Sequence, residues 1–158
     1  FKISGDEVLV EYNKYSEFVN SLIHVFRNMV DHGIESQEDR KVANKSREAL
    51  IEVYFENNKD HFLIIFKDDG RGMDLEKIRS VALKRKLKTK EELDILSETE
   101  IYNLIFAHGF STRDSIDDIS GRGVGMEAVL TEVINIGGTI SASSKPNKET
   151  KFTVKLPL

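Results

Sequence analysis

Cysteine is absent from the 158-residue sequence, which excludes a disulfide framework and a thiolate metal site. No segment approaches the roughly 18 consecutive apolar residues of a membrane-spanning helix, and no signal-peptide pattern is present. Internal repeats and low-complexity segments are also missing. We therefore expect one domain over residues 1–158, in a cytoplasmic setting and without membrane contact of its own.

The charge balance also excludes some partners. The 23 basic and 27 acidic residues give a net charge of −4, which argues against a nucleic-acid platform. The sequence begins at Phe1, within a predicted strand and without an initiator methionine. We expect the chain to be a piece of a longer protein.

The order of predicted elements indicates an α+β fold. Alternation and turn residues predict three hairpins, at residues 1–12, 50–66 and 139–156. Helical spacing predicts helices from about Ser16 to Gly33 and over 74–87, 97–107 and 123–136. The polar segment 35–48 is predicted to be a surface loop, and the charged segment 84–98 a solvated helix end and loop. This order predicts a two-layer α/β sandwich: a mixed, mostly antiparallel sheet with helices on one face.

Three motifs carry the chemistry. In the first predicted helix, His24, Asn28 and His32 follow each other at intervals of four and form one polar stripe, with Asp31 beside it. Asn28 offers an amide oxygen suited to Mg²⁺, and the histidines offer donors or a base. The alternative is that the stripe is only the solvent face of an amphipathic helix.

The second motif is the segment from Asp68 to Gly72, which follows a buried-looking strand. Its glycines let the backbone approach a ligand closely, and a carboxylate there can accept a hydrogen bond from an exocyclic amine such as that of adenine. An ordinary Asp-Gly turn is the alternative.

In the third motif, Gly121, Gly123 and Gly125 alternate just before a helix, where exposed N–H groups and the helix dipole bind phosphate. The segment is neither a Walker motif nor a dinucleotide fingerprint. A flexible glycine linker is the alternative.

Taken in order, these motifs resemble the nucleotide-binding boxes of the chemotaxis histidine kinases, the CheA family. Residues 22–35 resemble the asparagine box, 68–73 the first glycine box, 104–112 the phenylalanine box and the start of the ATP lid, and 120–126 the second glycine box. The closing segment 151–158 is similar to the family's last strand. The resemblance implies the GHKL (Bergerat) fold with a mobile ATP lid.

The resemblance implies a role for each matching residue. Asp68 binds the adenine amino group, Gly72 shapes that pocket, and Thr150 lies beside the base. Asn28 holds the Mg²⁺ that bridges the phosphates, and His24 takes the position where related gyrase and MutL ATPases have a glutamate base. Further residues near the phosphates or the nucleotide are Arg27, Asp31, His32, Gly70, Met73, Phe110, Ser111, Thr112, Gly121, Arg122, Gly123, Val124, Gly125 and Met126.

Three positions depart from the family pattern. His108 stands where the family usually has proline, Glu149 stands where a glycine usually precedes the threonine matched by Thr150, and residues 127–130 replace a stretch that often ends in lysine. These departures concern the lid and nucleotide affinity and remove no core ligand.

The resemblance implies a histidine kinase catalytic domain that binds Mg-ATP and phosphorylates a histidine on a separate domain or chain. A response regulator would act downstream, and the full-length protein would be a homodimer. Two other functions stay open: a nucleotide-binding regulatory module with weak catalysis, and a GHKL ATPase of the gyrase or MutL kind.

Overall fold

The computed structural model of the chain describes residues 1–110 and 125–158. Within these residues, five strands form one sheet in the order β1-β2-β3-β5-β4: Lys2–Gly5 (β1), Ile51–Asn57 (β2), His61–Asp68 (β3), Thr139–Lys145 (β4) and Glu149–Pro157 (β5). β1 runs parallel to β2, and the other neighbouring strands are antiparallel. The prediction of a mixed, mostly antiparallel sheet is confirmed.

The helices pack against one face of this sheet. Their bounds are Tyr12–Asn28 (α1), Gln37–Val42 (α2), Leu75–Lys84 (α3), Lys90–Asp94 (α4), Glu98–Asn103 (α5) and Met126–Asn135 (α6). A π-helical turn, Met29–Gly33, continues α1, and a 3-10 turn, Leu104–Phe106, continues α5. In the described ranges, no helix is long and apolar enough to cross a membrane.

The core lies between the helices and the central strands. β3 and β5 alternate strictly, so every second side chain points into the helical layer and is buried. Phe26 of α1 meets Phe66 of β3 edge-on at 5.6 Å between ring centroids, and Phe106 meets Phe152 of β5 at 6.3 Å. These aromatic contacts attach both helical segments to the middle of the sheet.

The predicted hairpin over residues 1–12 is wrong. Only Lys2–Gly5 forms a strand, and it pairs in parallel with β2 rather than with the residues that follow it. The backbone of Gly5 lies against Phe55, and the N–H of Asp6 donates to the Phe55 carbonyl at 2.9 Å. Of the alternating residues that suggested a second strand, Val10 and Tyr12 are exposed.

The long first helix and the polar segment after it also differ from the prediction. α1 begins at Tyr12 rather than near Ser16, without a side-chain cap. The segment 35–48 is not only a loop, because Ser36 caps the short helix α2 by accepting the N–H of Asp39 at 3.1 Å. α2 carries Arg40, which is 1% exposed.

The helices after β3 follow their sequence signals more closely. Asp74 caps α3, and Ser97 with Glu100 forms the predicted capping box of α5. The charged segment 84–98 contains a short helix, α4, which also begins with a capping box and buries Leu93. The β4–β5 hairpin closes the fold as predicted, with register pairs from Thr139 and Lys155 to Lys145 and Glu149.

Candidate functional site

The carboxylate of Asp68, at the end of β3, is 1% exposed. Its Oδ1 accepts the N–H of Gly70 at 2.9 Å and the N–H of Thr150 at 3.4 Å. Its Oδ2 is buried and has no hydrogen-bond partner among the residues that the structure describes. Burial raises the pKa of Asp68, and the N–H donors of Gly70 and Thr150 only partly oppose this. A buried acceptor of this kind suits a ligand that brings its own donor.

Two glycines pack closely against this carboxylate. A Cβ added to Gly33 would lie 3.2 Å from Asp68 Oδ2. A Cβ added to Gly70 would lie 2.2 Å from the Gly33 carbonyl oxygen and 2.8 Å from Asp68 Oδ1. The Gly33 carbonyl also accepts the N–H of Arg71 at 2.8 Å. The end of the helix that carries the polar stripe therefore meets the Asp-Gly segment directly.

The β4–β5 hairpin forms the other side of this region. Gly72 has φ +75°, and a Cβ there would lie 2.8 Å from Ser144 Oγ and 2.7 Å from the Lys145 carbonyl oxygen. The N–H of Met73 donates to Ser144 Oγ at 2.7 Å. Thr150 is buried and pairs in register with Asp68. We call the region formed by Gly33, Asp68, Gly70, Gly72 and Thr150 the Asp68 pocket.

The polar stripe lies on the last turns of α1. His24 and Asn28 are half-buried, whereas Arg27 between them is exposed. Burial lowers the pKa of His24, and the neighbouring Arg27 charge lowers it further. Both effects favour the neutral imidazole of His24, which can accept a hydrogen bond.

The helical phase of the stripe changes after Asn28. The π-helical turn carries Asp31 and His32, both exposed, and its last hydrogen bond runs from the N–H of Ile34 to the Met29 carbonyl at 2.9 Å. The α-helical spacing predicted from His24 to His32 thus extends only to Asn28. The π-helical turn ends at Gly33, and this glycine lies beside the carboxylate of Asp68.

The predicted lid and second glycine box lie mostly outside the described residues. Ser111, Thr112, Gly121, Arg122, Gly123 and Val124 all fall there. Phe110 is half-buried and packs against the core. Gly125 is exposed at the start of α6, Met126 is buried, and α6 packs against α1.

His108 and Glu127 bridge the two described ends that flank residues 111–124. The ring Nδ1 of His108 contacts Oε1 of Glu127. This contact, and the charge of Glu127, raise the pKa of His108, whose side chain is 92% exposed. Two departures from the family pattern are thus paired with each other. His108 stands where the family usually has proline, and Glu127 belongs to residues 127–130, which replace a stretch that often ends in lysine.

We expect the pKa of His108 to lie above about 6.5, the ordinary value for histidine. A raised pKa means that the pair stabilises the fold below the pKa of the unfolded chain, and that this contribution is lost as the pH rises through the folded pKa. Titration of the ring protons by NMR measures the shift, and Glu127→Gln should return it toward about 6.5. An unchanged titration in the variant would show that Glu127 is not the cause.

A group of buried charges beside the Asp68 pocket was missed at the sequence level. Arg40 contacts Glu35 and Asp69, and Lys45 contacts Glu35. Glu35, Arg40 and Lys45 all lie in the segment 35–48, which was predicted to be a surface loop. Charge density normally indicates a solvated surface. The one available signal was Asp69 itself, because a second carboxylate directly after a buried strand needs a partner.

Asn28 is the side chain that we consider as a ligand for Mg²⁺. In residues 1–110 and 125–158, no group of three or more His, Asp or Glu side chains is placed to hold a metal ion. Mg²⁺ bound to a nucleotide does not require such a group, because phosphates and water supply most of its ligands. Asn28, with a half-buried side chain on the stripe, has the donor chemistry that such an ion takes.

Comparison with known proteins identifies the class of protein to which this fold belongs. The sequence model of the family described as "Histidine kinase-, DNA gyrase B-, and HSP90-like ATPase" matches residues 19–158. The chain belongs to this ATPase family.

Within this family, the chain is similar to chemotaxis proteins. The chain is 39% identical over 158 residues to a chemotaxis protein CheA of Halobacterium salinarum, covering 100% of the chain and 24% of that protein. It is 38% identical over 156 residues to a chemotaxis protein CheA of Bacillus subtilis, covering 99% of the chain and 23% of that protein. The chain thus spans about a quarter of the length of these relatives.

A solved structure supports the fold. The histidine kinase domain of the Erythrobacter litoralis blue-light activated histidine kinase EL346 superposes with a TM-score of 0.55 at 12% identity, covering 99% of this chain and 50% of that one. At this identity the likeness concerns the fold alone.

Proposed function

We propose that the chain binds Mg-ATP and donates its γ-phosphoryl group to a histidine on a separate domain or chain, as the catalytic domain of a chemotaxis-type histidine kinase. One observation carries the nucleotide part of this proposal: the buried Oδ2 of Asp68, which has no donor among the described residues. Membership of the ATPase family and the likeness to CheA proteins support the same conclusion.

Each part of the nucleotide has a matching protein group in this proposal. The exocyclic amine of adenine donates to Asp68 Oδ2, and Gly33 lets the base approach this oxygen because it has no side chain. Thr150 and Gly72 bound the base from the β4–β5 side. The exposed start of α6 at Gly125 presents N–H groups toward phosphate.

The polar stripe serves the phosphates. Asn28 would hold Mg²⁺, which neutralises phosphate charge when it is bound there. His24, whose neutral form is favoured by burial and by Arg27, orients the incoming histidine or accepts its proton. Arg27, Asp31 and His32 are placed on the exposed end of the same helical segment.

The acceptor histidine lies elsewhere in this proposal. The chain has four histidines: His24 and His32 belong to the stripe, His61 begins β3, and His108 is paired with Glu127. We assign none of them as the phosphoryl acceptor. We propose a separate acceptor domain, a response regulator downstream, a homodimeric full-length protein and a cytoplasmic location, without nucleic-acid or membrane contact by this domain.

Calorimetric titration of the 158-residue chain with Mg-ATP and with Mg-ADP tests nucleotide binding. We expect saturable binding of both nucleotides at one site. Absence of binding would overturn the proposal. Binding of ATP without transfer of labelled phosphate to the acceptor domain of the full-length protein would instead indicate a regulatory module.

His24→Gln should separate catalysis from binding. Glutamine keeps a polar side chain of similar reach but cannot take up a proton at neutral pH, so phosphotransfer should fall by about 100-fold or more while ATP affinity changes less than about threefold. Transfer of labelled phosphate and calorimetry measure the two effects, with His61→Gln as the matched control. Equal losses in both measurements would make His24 a binding residue.

A further inference from the structure

Two consecutive carboxylates in the Asp-Gly segment point to different places. Strand alternation directs Asp68 into the helical layer, whereas the side chain of Asp69 is 38% exposed and faces α2. Arg40 binds Asp69 as a fork, with NH1 donating to Oδ1 at 3.2 Å and NH2 donating to Oδ2 at 2.8 Å. The resemblance at the sequence level assigned no role to Asp69, Arg40 or the residues around them.

The guanidinium of Arg40 is saturated with acceptors. Besides the fork to Asp69, its Nε donates to the Ser46 carbonyl at 2.7 Å, NH1 donates to Glu35 at 3.2 Å, and NH2 donates to the Glu48 carbonyl at 3.3 Å. The contacts to Asp69 and Glu35 keep the pKa of Arg40 above its ordinary value. Arg40 is therefore a fixed charge that joins α2 and the following loop to the residue next to Asp68.

Lys45 acts on the backbone of the same segment. Its Nζ donates to the Asp69 carbonyl at 2.9 Å, to the Gly70 carbonyl at 2.6 Å and to Glu35 Oε1 at 2.6 Å. These three acceptors use all three N–H bonds of the ammonium group. The cation thus holds the carbonyls of Asp69 and Gly70, the two residues that follow Asp68 in sequence.

Because a peptide bond is planar, fixing its carbonyl oxygen also fixes the direction of its N–H group, which here points into the Asp68 pocket. The Asp69–Gly70 peptide has its carbonyl oxygen on Lys45, and the opposite N–H of the same planar unit donates to Asp68 Oδ1 at 2.9 Å. The next peptide has its carbonyl on Lys45 and its N–H, from Arg71, on the Gly33 carbonyl. One ammonium group therefore orients the peptide that contacts Asp68 Oδ1 and the peptide that contacts Gly33, which lies beside Oδ2.

We infer that Arg40 and Lys45 are positioning residues for adenine recognition, because they fix the two peptides that turn Asp68 so that Oδ1 is satisfied and Oδ2 faces the base. This inference rests on the proposed function. Neither residue touches the nucleotide, so their effect must be specific to the part of the binding energy that the 6-amino group of adenine supplies.

The test compares ATP with purine riboside triphosphate, which lacks only that amino group. Calorimetry on the wild-type chain should show that ATP binds at least about tenfold more tightly than the analogue, as expected for a hydrogen bond to a carboxylate. In Lys45→Met, which keeps most of the aliphatic chain, the ratio should fall below about threefold. Arg47→Met is the matched control, because Arg47 lies in the same exposed loop and donates only to Gln37 among the contacts described for it.

Arg40→Lys provides a second variant that keeps the charge but cannot form the fork, and it should give an intermediate ratio. Circular dichroism and thermal melting establish the folded fraction for each variant. If Lys45→Met and Arg40→Lys weaken both nucleotides equally and keep the wild-type ratio, the residues are only structural and the inference fails. If the wild-type chain binds both nucleotides equally, the role proposed for Asp68 fails first, and the positioning role fails with it.

Discussion

Asp68→Asn will lower the affinity of the chain for ATP by about 100-fold while leaving the fold intact. The change replaces the unpartnered oxygen with either an amide N–H₂ or a weaker, uncharged acceptor. A hydrogen bond to a charged acceptor contributes about 1.5–3 kcal/mol, and a donor placed against the adenine amine adds a repulsive contact. Calorimetry with Mg-ATP measures the loss, and Asp60→Asn, at the exposed turn between β2 and β3, is the control.

The same substitution should not destabilise the chain without nucleotide. Because burial raises the pKa of Asp68, the folded chain holds its proton to higher pH than the unfolded chain does. Stability from this group is thus greatest below the unfolded pKa and falls as the pH rises through the folded pKa. Asparagine removes that dependence, so the thermal midpoint at pH 7 should stay the same or rise. A clear fall would identify Asp68 as a structural residue, and retained ATP affinity would contradict the adenine contact.

Asn28→Ala should abolish the part of ATP binding that depends on Mg²⁺. Alanine removes the amide oxygen but favours a helix more than asparagine does, so α1 should remain folded. Titrations with Mg²⁺ and with EDTA should differ strongly for the wild-type chain and become equal for the variant. Loss of about 100-fold in the presence of Mg²⁺ is the expected size, since one metal ligand and its orientation are removed.

Asn20→Ala is the control for this experiment, because Asn20 is exposed on the same helix. It should leave both titrations unchanged. If Asn28→Ala keeps its dependence on Mg²⁺, the amide does not hold the metal, although nucleotide binding through Asp68 would still stand.

The strands that could be predicted are those whose partners follow at once in sequence. β2 and β3 are joined by a short turn that contains Asn58, and β4 and β5 by one that contains Asn147 at φ +59°, so turn chemistry and alternation together define them. β1 could not be predicted in the same way. Its partner lies 50 residues further along the chain, from Lys2 to Glu52, and no local signal specifies a parallel pairing at that distance.

Some residues of the candidate site could likewise be predicted from the sequence, and others could not. The residues of the Asp-Gly segment and of the stripe could be proposed from sequence because glycine, carboxylate and amide groups occur there at short spacing. The alternation of β3 even distinguishes Asp68 from Asp69, since Asp68 lies two residues after the buried Phe66 and therefore points to the same face of the sheet. The roles of Arg40 and Lys45 could not be predicted, because half of the acceptor contacts described above are to backbone carbonyls, which every residue has.

In the proposed adenine site, the close packing of Gly33 and Gly70 would limit which substitutions can change the preferred base. A methyl group at position 70 would overlap the Gly33 carbonyl, so a substitution there would be eliminated by misfolding before any new preference could be selected. Ser144 and Thr150 border the same region from the hairpin, and both positions already accommodate a side chain. Laboratory evolution toward another purine should therefore accumulate its first mutations on the β4–β5 hairpin and leave both glycines untouched.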